Sequence, residues 1–330
     1  MRLGLIARAD DGGLGTLTQE FAYHLNVERA LIVDLGYKAR GETREERIKE
    51  IVPDARTTTY PFGDEALRWL VDGLDVVYTA ETPYNINLYD IANEVGCRVV
   101  LHAMPELLKP EYSSHAVWLP TTWHQDNIDH SRVIPVPVAT ERFTFNQRTK
   151  VNTLLHVPGE AMEDRNGTDL LMAALPFVMS KLVLVVAGSK LRPHRVNNVT
   201  VTGRSWCKEY WENYTDDIDL IVIPRRYGGL CLPIQEAAAC GIPSLMLGVE
   251  PQTGWPGFRV PAKIENVTRM AGGNFDVYGC SPQVLALEID RVCKLDIGYA
   301  SNAVHEWARL LGWDRWTDVY EKCLTSFKAV

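Results

Sequence analysis

The sequence predicts an α/β fold made of two doubly wound parallel sheets, one in each half of the chain. Three observations carry this. Short β-rich apolar runs alternate with helical patterns along the length of the chain. The strand-like runs are continuously apolar rather than alternating, as in strands buried on both faces. The 330 residues exceed one ordinary core and fit two domains of roughly 150 each.

The elements follow in order. RLGLIAR reads as a first strand that passes through a glycine turn into the helix LGTLTQEFAYHL. ALIVDLG, DVVYTA, CRVVLHA and AVWLPTT continue as strands, with TREERIKEIV and NINLYDIANEV as helices between them. The rhythm breaks at IPVPVATERFTFNQRTKVN, where prolines and polar residues gather. It resumes with the strands TLLHVPG, KLVLVVAG, NVTVTG, IDLIVIP and PSLMLG and the helices TDLLMAALPFVM and PIQEAAACG, so a second domain begins close to Val151. The tail spaces Val304, Trp307, Leu310 and Leu311 at helical intervals. It ends in a helix carrying Trp316, Val319, Tyr320 and Cys323 on related faces, and those aromatics need a surface to pack on.

Composition narrows the function. Hydrophobic residues make up 46% and charged residues 23%, and no run approaches the ~18 apolar residues of a membrane span. The N-terminal stretch lacks a small-residue cleavage site and leads straight into a glycine turn, so retention in the cytoplasm is expected. Seven scattered cysteines with no C-x-x-C argue against a disulfide framework and against a zinc site. A net charge of −8 offers no basic footprint; this disfavours a nucleic-acid partner without excluding one, since a local basic patch fits within an acidic total.

In open α/β sheets ligands bind beyond the carboxyl ends of the strands, and in two facing domains those loops would converge on one cleft. After the first strand, Gly12, Gly13 and Gly15 let the backbone approach an anion or a hydroxyl-rich ligand at a helix N-terminus, and a tight turn is the equal alternative. The loop is not a dinucleotide fingerprint, because G-x-G-x-x-G is absent and Asp10 and Asp11 would repel a pyrophosphate. Arg165-Asn166-Gly167-Thr168 precedes a helix and could hold a phosphate, although a capped helix with a surface arginine is the plainer reading. In PRRYGGLCLPIQEAAACGIP, Pro224 ends a buried strand, Gly228 and Gly229 make a loop with exposed amides, and Glu236 lies in the first turns of the next helix. A buried carboxylate there costs several kcal/mol unless it is paired, and a vicinal diol, as on a ribose, is a fitting partner.

That stretch resembles the C-terminal signature of retaining GT-B glycosyltransferases, specifically glycosyltransferase family 4, with the pattern E-G-F-G-L-P-x-x-E-A-x-A-x-G-x-P. LPIQEAAACGIP matches its second half. GGLGTLTQEFAYHL, IPVPVATERF, RNGTDLLMAA and WARLLGWDRWTDVYEKCL resemble further segments of the same family, in the family's order. The resemblance implies the GT-B architecture: two Rossmann-like domains facing across a cleft. An acceptor domain would span 1–145, with the last helix, 314–330, packed back on it, and a donor domain 151–313. It implies transfer of a hexose from a nucleotide diphosphate sugar to an acceptor hydroxyl, with retention, without a metal and without a cofactor beyond the donor substrate.

The resemblance also assigns residues. Glu236 would hold the ribose, and the loop from Gly228 through the amides of Gly229, Leu230 and Cys231 would meet the diphosphate or sugar. Gly203 and Arg204 would meet the base. Gly12 and Gly13 would face the donor phosphate and acceptor, His102 would lie near the reacting sugar, and Glu81 would orient an acceptor hydroxyl. For His102 the plain alternative is a satisfied histidine at a strand end. The chain departs from the family twice. Gly228 stands where the first carboxylate of the pair belongs, and Asn166 stands where a lysine is expected. That leaves Arg165, Arg225, Arg226 or Lys190 to neutralise the diphosphate, with Arg165 first because it is one residue from the family position. Two other readings stay open: a degenerate relative that binds nucleotide, sugar or a partner without catalysis, and a transferase acting on a modified nucleic-acid base. Asp217-x-Asp219 opens a strand at its amino end and reads as a solvated entrance, and His115, His124 and His130 lack the spacing of a metal site.

Overall fold

The computed structural model describes residues 1–36, 43–112, 116–159 and 164–326; His115 and the end of the last expected helix lie outside them. The chain divides into two compact units, one of Met1–Pro137 with Trp313–Val330 and one of Val138–Gly312.

The first unit runs β1 (Leu3–Ala7), α1 (Gly13–His24), β2 (Val27–Asp34), α2 (Glu46–Lys49), β3 (Asp54–Thr59), α3 (Asp64–Val71), β4 (Val76–Ala80) and α4 (Leu88–Glu94). It continues with β5 (Arg98–His102), β6 (Ala116–Leu119) and β7 (Arg132–Val133). These strands form one parallel sheet in the order β3-β2-β1-β4-β5-β6-β7. The order turns around between β1 and β4, and the crevice of a doubly wound sheet opens at such a point. β1 and β4 are buried at every position, as strands covered on both faces must be.

The second unit runs β8 (Thr153–His156), α5 (Thr168–Ala174), β9 (Leu182–Ala187), β10 (His194–Val196), β11 (Val199–Arg204), β12 (Leu220–Val222), α6 (Leu232–Ala239) and β13 (Ser244–Leu247). Then come β14 (Phe258–Val260), β15 (Lys263–Met270), β16 (Gly273–Gly279), α7 (Pro282–Cys293) and α8 (Gly298–Leu310). Its main sheet has the order β10-β11-β9-β8-β12-β13-β14, parallel except for the β10–β11 pair, and turns around between β8 and β12. Period-two alternation builds two cores. Leu154, Leu184, Val186, Leu220 and Val222 enter one with α5 and α7, while Leu155, Val185, Ala187, Ile221 and Ile223 enter the other with α6. β15 and β16 form a separate antiparallel hairpin that the sequence reading did not contain.

The chain closes with α9 (Trp313–Thr325), which returns to the first unit. Its surface is an aromatic cluster: the Trp118 and Tyr320 rings meet edge-on at 5.3 Å, Trp313 packs on Tyr320, and Phe21 stacks on Tyr78 at 4.0 Å. The Tyr320 hydroxyl donates to the Pro135 carbonyl at 2.8 Å, which satisfies its one polar atom. Among the described residues, no helix is long and apolar enough to cross a membrane.

Two histidines end central strands in these interiors. His156 is fully buried at the end of β8; its Nδ1 lies 2.8 Å from the Val222 carbonyl and its Nε2 2.8 Å from the Thr168 hydroxyl, so a neutral ring ties β8, β12 and α5 together. Burial lowers its pKa to about 4, and burial lowers that of His102 to about 3. Both values lie below the ordinary 6.5 of an exposed imidazole, so the unfolded chain binds the extra protons first. The stability from these rings is complete above about pH 6.5 and is lost as pH falls toward 4, at a cost on the order of 2 kcal/mol per ring by pH 5. Proton NMR across pH 7 to 5 should show neither imidazole titrating while urea stability drops; a ring that titrates near 6.5 contradicts the burial.

Candidate functional site

The loops beyond β8 and β12 hold one another at the turn-around point of the second sheet. The Asn166 side chain donates to the Val157 carbonyl at 3.1 Å and accepts from the Arg225 guanidinium at 2.8 Å. The Arg226 amide donates to the Arg165 carbonyl at 2.8 Å. Gly167, at φ +71°, lies so close to Pro224 that a Cβ would stand 2.3 Å from its carbonyl oxygen. The sequence places a glycine where the two loops touch, and α5 starts there.

The four cations differ in their packing. Arg225 is buried and bonded to Asn166, so the residue standing in the lysine position acts as a structural bridge. Arg226 is committed to the hairpin: it donates to the Tyr278 carbonyl at 2.9 Å and to Glu265 at 2.8 Å, and its own carbonyl accepts from the Tyr278 amide. Lys190 is exposed on the loop after β9. Arg165 lies along the glycine loop, its guanidinium 5.6 Å from the Tyr227 ring centre and against Gly228.

That contact falls at the position of the missing carboxylate. Gly228 has φ +90°, and a Cβ there would come within 2.4 Å of Arg165 Nη2. A side chain at 228 would have to adopt a strained backbone and displace the arginine.

Glu236 is buried on α6 and accepts a hydrogen bond from the Tyr214 hydroxyl. Burial, and then the Glu236 carboxylate, push the Tyr214 phenol well above its usual range, so it stays protonated and donates. Tyr214 is a partner the sequence reading missed. Arg204, expected to meet the base, donates to Thr215 and to Asp217 at 2.7 Å each and so holds the segment that carries Tyr214. Gly203 pairs with the Leu191 carbonyl. Asp219 accepts from the backbone amides of Asn152 and Thr153 at the amino ends of the strands, so both carboxylates of the D-x-D are engaged by the protein. Gly229 accepts from Gln252, Leu230 is half-buried, and Cys231 sits buried at the start of α6, its thiol pushed up by burial. The structure thus brings Arg165, Gly228, Gly229, Leu230, Cys231 and Glu236 into one neighbourhood.

In the first unit, Asp10 pairs with Arg8 and accepts from the Gly12 amide at 2.9 Å, and Asp11 pairs with Arg44 and Arg47 at 3.3 and 3.1 Å. The two carboxylates expected to repel an anion are therefore neutralised. Gly12 is buried before α1 and Gly13 is its exposed first residue. Glu81 lines a cavity of about 470 Å³ with Arg8, Tyr60, Tyr84, Lys109 and Tyr112. His102 does not line it: its carbonyl accepts from the Glu81 amide, but its ring is enclosed by Tyr78, Trp118 and Tyr320, with Nδ1 2.8 Å from the Tyr78 hydroxyl. The imidazole is packed in the core of this unit.

Gly228→Ala should lower the unfolding free energy by about 1–2 kcal/mol, the cost of a left-handed non-glycine residue, because it also displaces Arg165. Denaturant unfolding measures it, and an unchanged midpoint would contradict the described loop.

Residues 152–270 match the model of the family described as glycosyl transferases group 1. A comparison with curated protein sequences gives no match. Among solved structures, Anabaena HepE in complex with UDP and glucose is similar over 99% of this chain and 100% of that one, with 13% identity and a TM-score of 0.67. Sucrose-phosphate synthase from Thermosynechococcus elongatus is similar over 99% and 100%, with 14% identity and a TM-score of 0.64. The lipopolysaccharide outer core galactosyltransferase WaaB is similar over 99% of each chain, with 13% identity and a TM-score of 0.63. At these identities the structures speak for the fold. The chain has the GT-B fold of two Rossmann-like units, and its second unit carries the match to the glycosyl transferases of group 1.

Proposed function

We propose that the chain is a glycosyltransferase that moves a hexose from a nucleotide diphosphate sugar to an acceptor hydroxyl, with retention and without a metal. The observation that carries this reading is the Arg165–Gly228–Glu236 neighbourhood at the turn-around point of the second sheet, inside the segment matched by the glycosyl transferase family. HepE has been captured with UDP and with UDP-glucose, which makes these the first ligands to try.

The chemistry follows from the residues. Breaking the bond between sugar and diphosphate puts growing negative charge on the leaving phosphate oxygens. A guanidinium held in place and the amides at the start of α6 meet that charge without reorganising when it appears. Glu236, fixed by Tyr214, accepts hydrogen bonds from the ribose hydroxyls. Retention is what the family resemblance implies.

The glycine at 228 favours a second reading, a protein that binds the nucleotide sugar without transferring it. Thermal stability against a panel of nucleotide diphosphate sugars and free diphosphates tests the binding shared by both readings. A ligand at 100 times its dissociation constant adds about 2.7 kcal/mol, a shift of several degrees. Glu236→Ala should weaken the selected nucleotide by about 1.5–3 kcal/mol, a loss on the order of tenfold to hundredfold by calorimetry. Unchanged affinity removes Glu236 from the ribose, and no shift with any member of the panel defeats the donor reading.

A further inference from the structure

We infer that the β10 edge of the second unit docks on an anionic lipid surface, with Phe177, Met179 and Leu191 entering the interface and four cations beside them. The inference is independent of the transfer reading. It concerns a face set apart from the proposed donor loops, since β11 and β9 separate β10 from β8.

Charge is the first argument. The chain carries a net charge of −8, yet from Leu170 through Lys208 it has no aspartate or glutamate. Lys181, Lys190, Arg192 and Arg195 within this stretch are all exposed. Among the described residues none of the four has a carboxylate in ion-pair range, whereas Arg204, at the end of β11, pairs with Asp217. The topology gathers them. β10 is the outermost strand of its sheet and pairs with β11 through Arg195 and Thr200; Lys190 and Arg192 lead into β10, and Lys181 leads into β9 on the other side of β11.

The second argument is what stands among these charges. Met179 is 73% exposed, Phe177 46% and Leu191 43%. The turn that carries Phe177 and Met179 is held against the β10–β11 turn by side-chain amides. Asn197 donates to the Pro176 and Val178 carbonyls at 3.2 and 2.8 Å, and Asn198 donates to the Met179 carbonyl at 3.0 Å. The Arg195 guanidinium lies at the same place, donating to the Asn197 carbonyl at 2.8 Å. Asp290, which meets this turn from α7, is buried and accepts from the Met179 and Ser180 amides at 2.9 and 2.8 Å, so its charge is spent inward. The backbone is satisfied throughout, and the apolar side chains are left outside.

A lipid surface suits both kinds of group. Anionic headgroups attract lysine and arginine, and apolar side chains enter the boundary between headgroups and acyl chains. A nucleic acid would engage the cations through its phosphates but offers no apolar phase to Met179 and Leu191. Charges and Pro193 at an edge strand also guard against pairing with another strand. That role accounts for the cations alone and opposes a second copy adding a strand there.

The test is sedimentation of the full chain with vesicles of phosphatidylcholine alone and of phosphatidylcholine mixed with phosphatidylglycerol. Duplex and single-stranded DNA oligonucleotides are titrated in parallel by fluorescence anisotropy. The protein should partition onto the anionic vesicles and not onto the neutral ones, and less so as salt rises. Partitioning should fall at least about tenfold in the double variant Arg192→Glu/Arg195→Glu, and about threefold or more in Met179→Ser, with melting temperatures as the check on folding. No binding to anionic vesicles, equal binding to neutral ones, binding unchanged in both variants, or capture of DNA with vesicles left unbound overturns the inference.

Discussion

A parallel sheet buried on both faces leaves little room for polar side chains within it, so in both units of this chain many of them gather at and beyond the ends of its strands. In the first unit the rule yields the Arg8–Asp10 pair and the carboxylate of Glu81. In the second it yields His156 bonded between two strands and a helix, the Asn166–Arg225 bridge, and Glu236 bonded to Tyr214. Each of these groups is buried or half-buried, and each described bond removes a desolvation cost that would otherwise open the loop.

Within the second unit, one contact arranges the others. Arg165 lies against Gly228, and Arg226, two residues before that glycine, is bonded both to the Arg165 carbonyl and to the β15–β16 hairpin. The hairpin therefore braces the backbone that sets the arginine. A side chain at 228 would need a left-handed backbone and a shift of the Arg165 guanidinium.

Much of the architecture was legible in the sequence because it depends on local pattern. The apolar runs ending at Ala7, Ala80, His102, His156 and Leu247 are strands, and PIQEAAACG is a helix, since period and turn chemistry determine both. What was not legible depends on partners far along the chain. Tyr214 stands 22 residues before the carboxylate it holds, and Arg226 stands 39 residues before Glu265. Arg204 and Asp217 sit 13 residues apart with nothing in either stretch to pair them. The hairpin was missed because β15 is exposed at most positions and shows no buried face to read. His102 ends its strand as expected, but the direction of its ring is set by Trp118 and by Tyr320 from the far end of the chain.

The central claim is that Arg165 supplies the charge by which a nucleotide diphosphate leaves its sugar. The direct measurement is release of the free diphosphate from the donor that the stability panel selects, at saturating donor, by wild type and by Arg165→Ala. The account predicts turnover by the wild type and a loss of about one to two orders of magnitude in kcat in the variant with affinity little changed, because the charge grows in the transition state. Equal kcat in the two proteins, or a loss confined to KM, would contradict it.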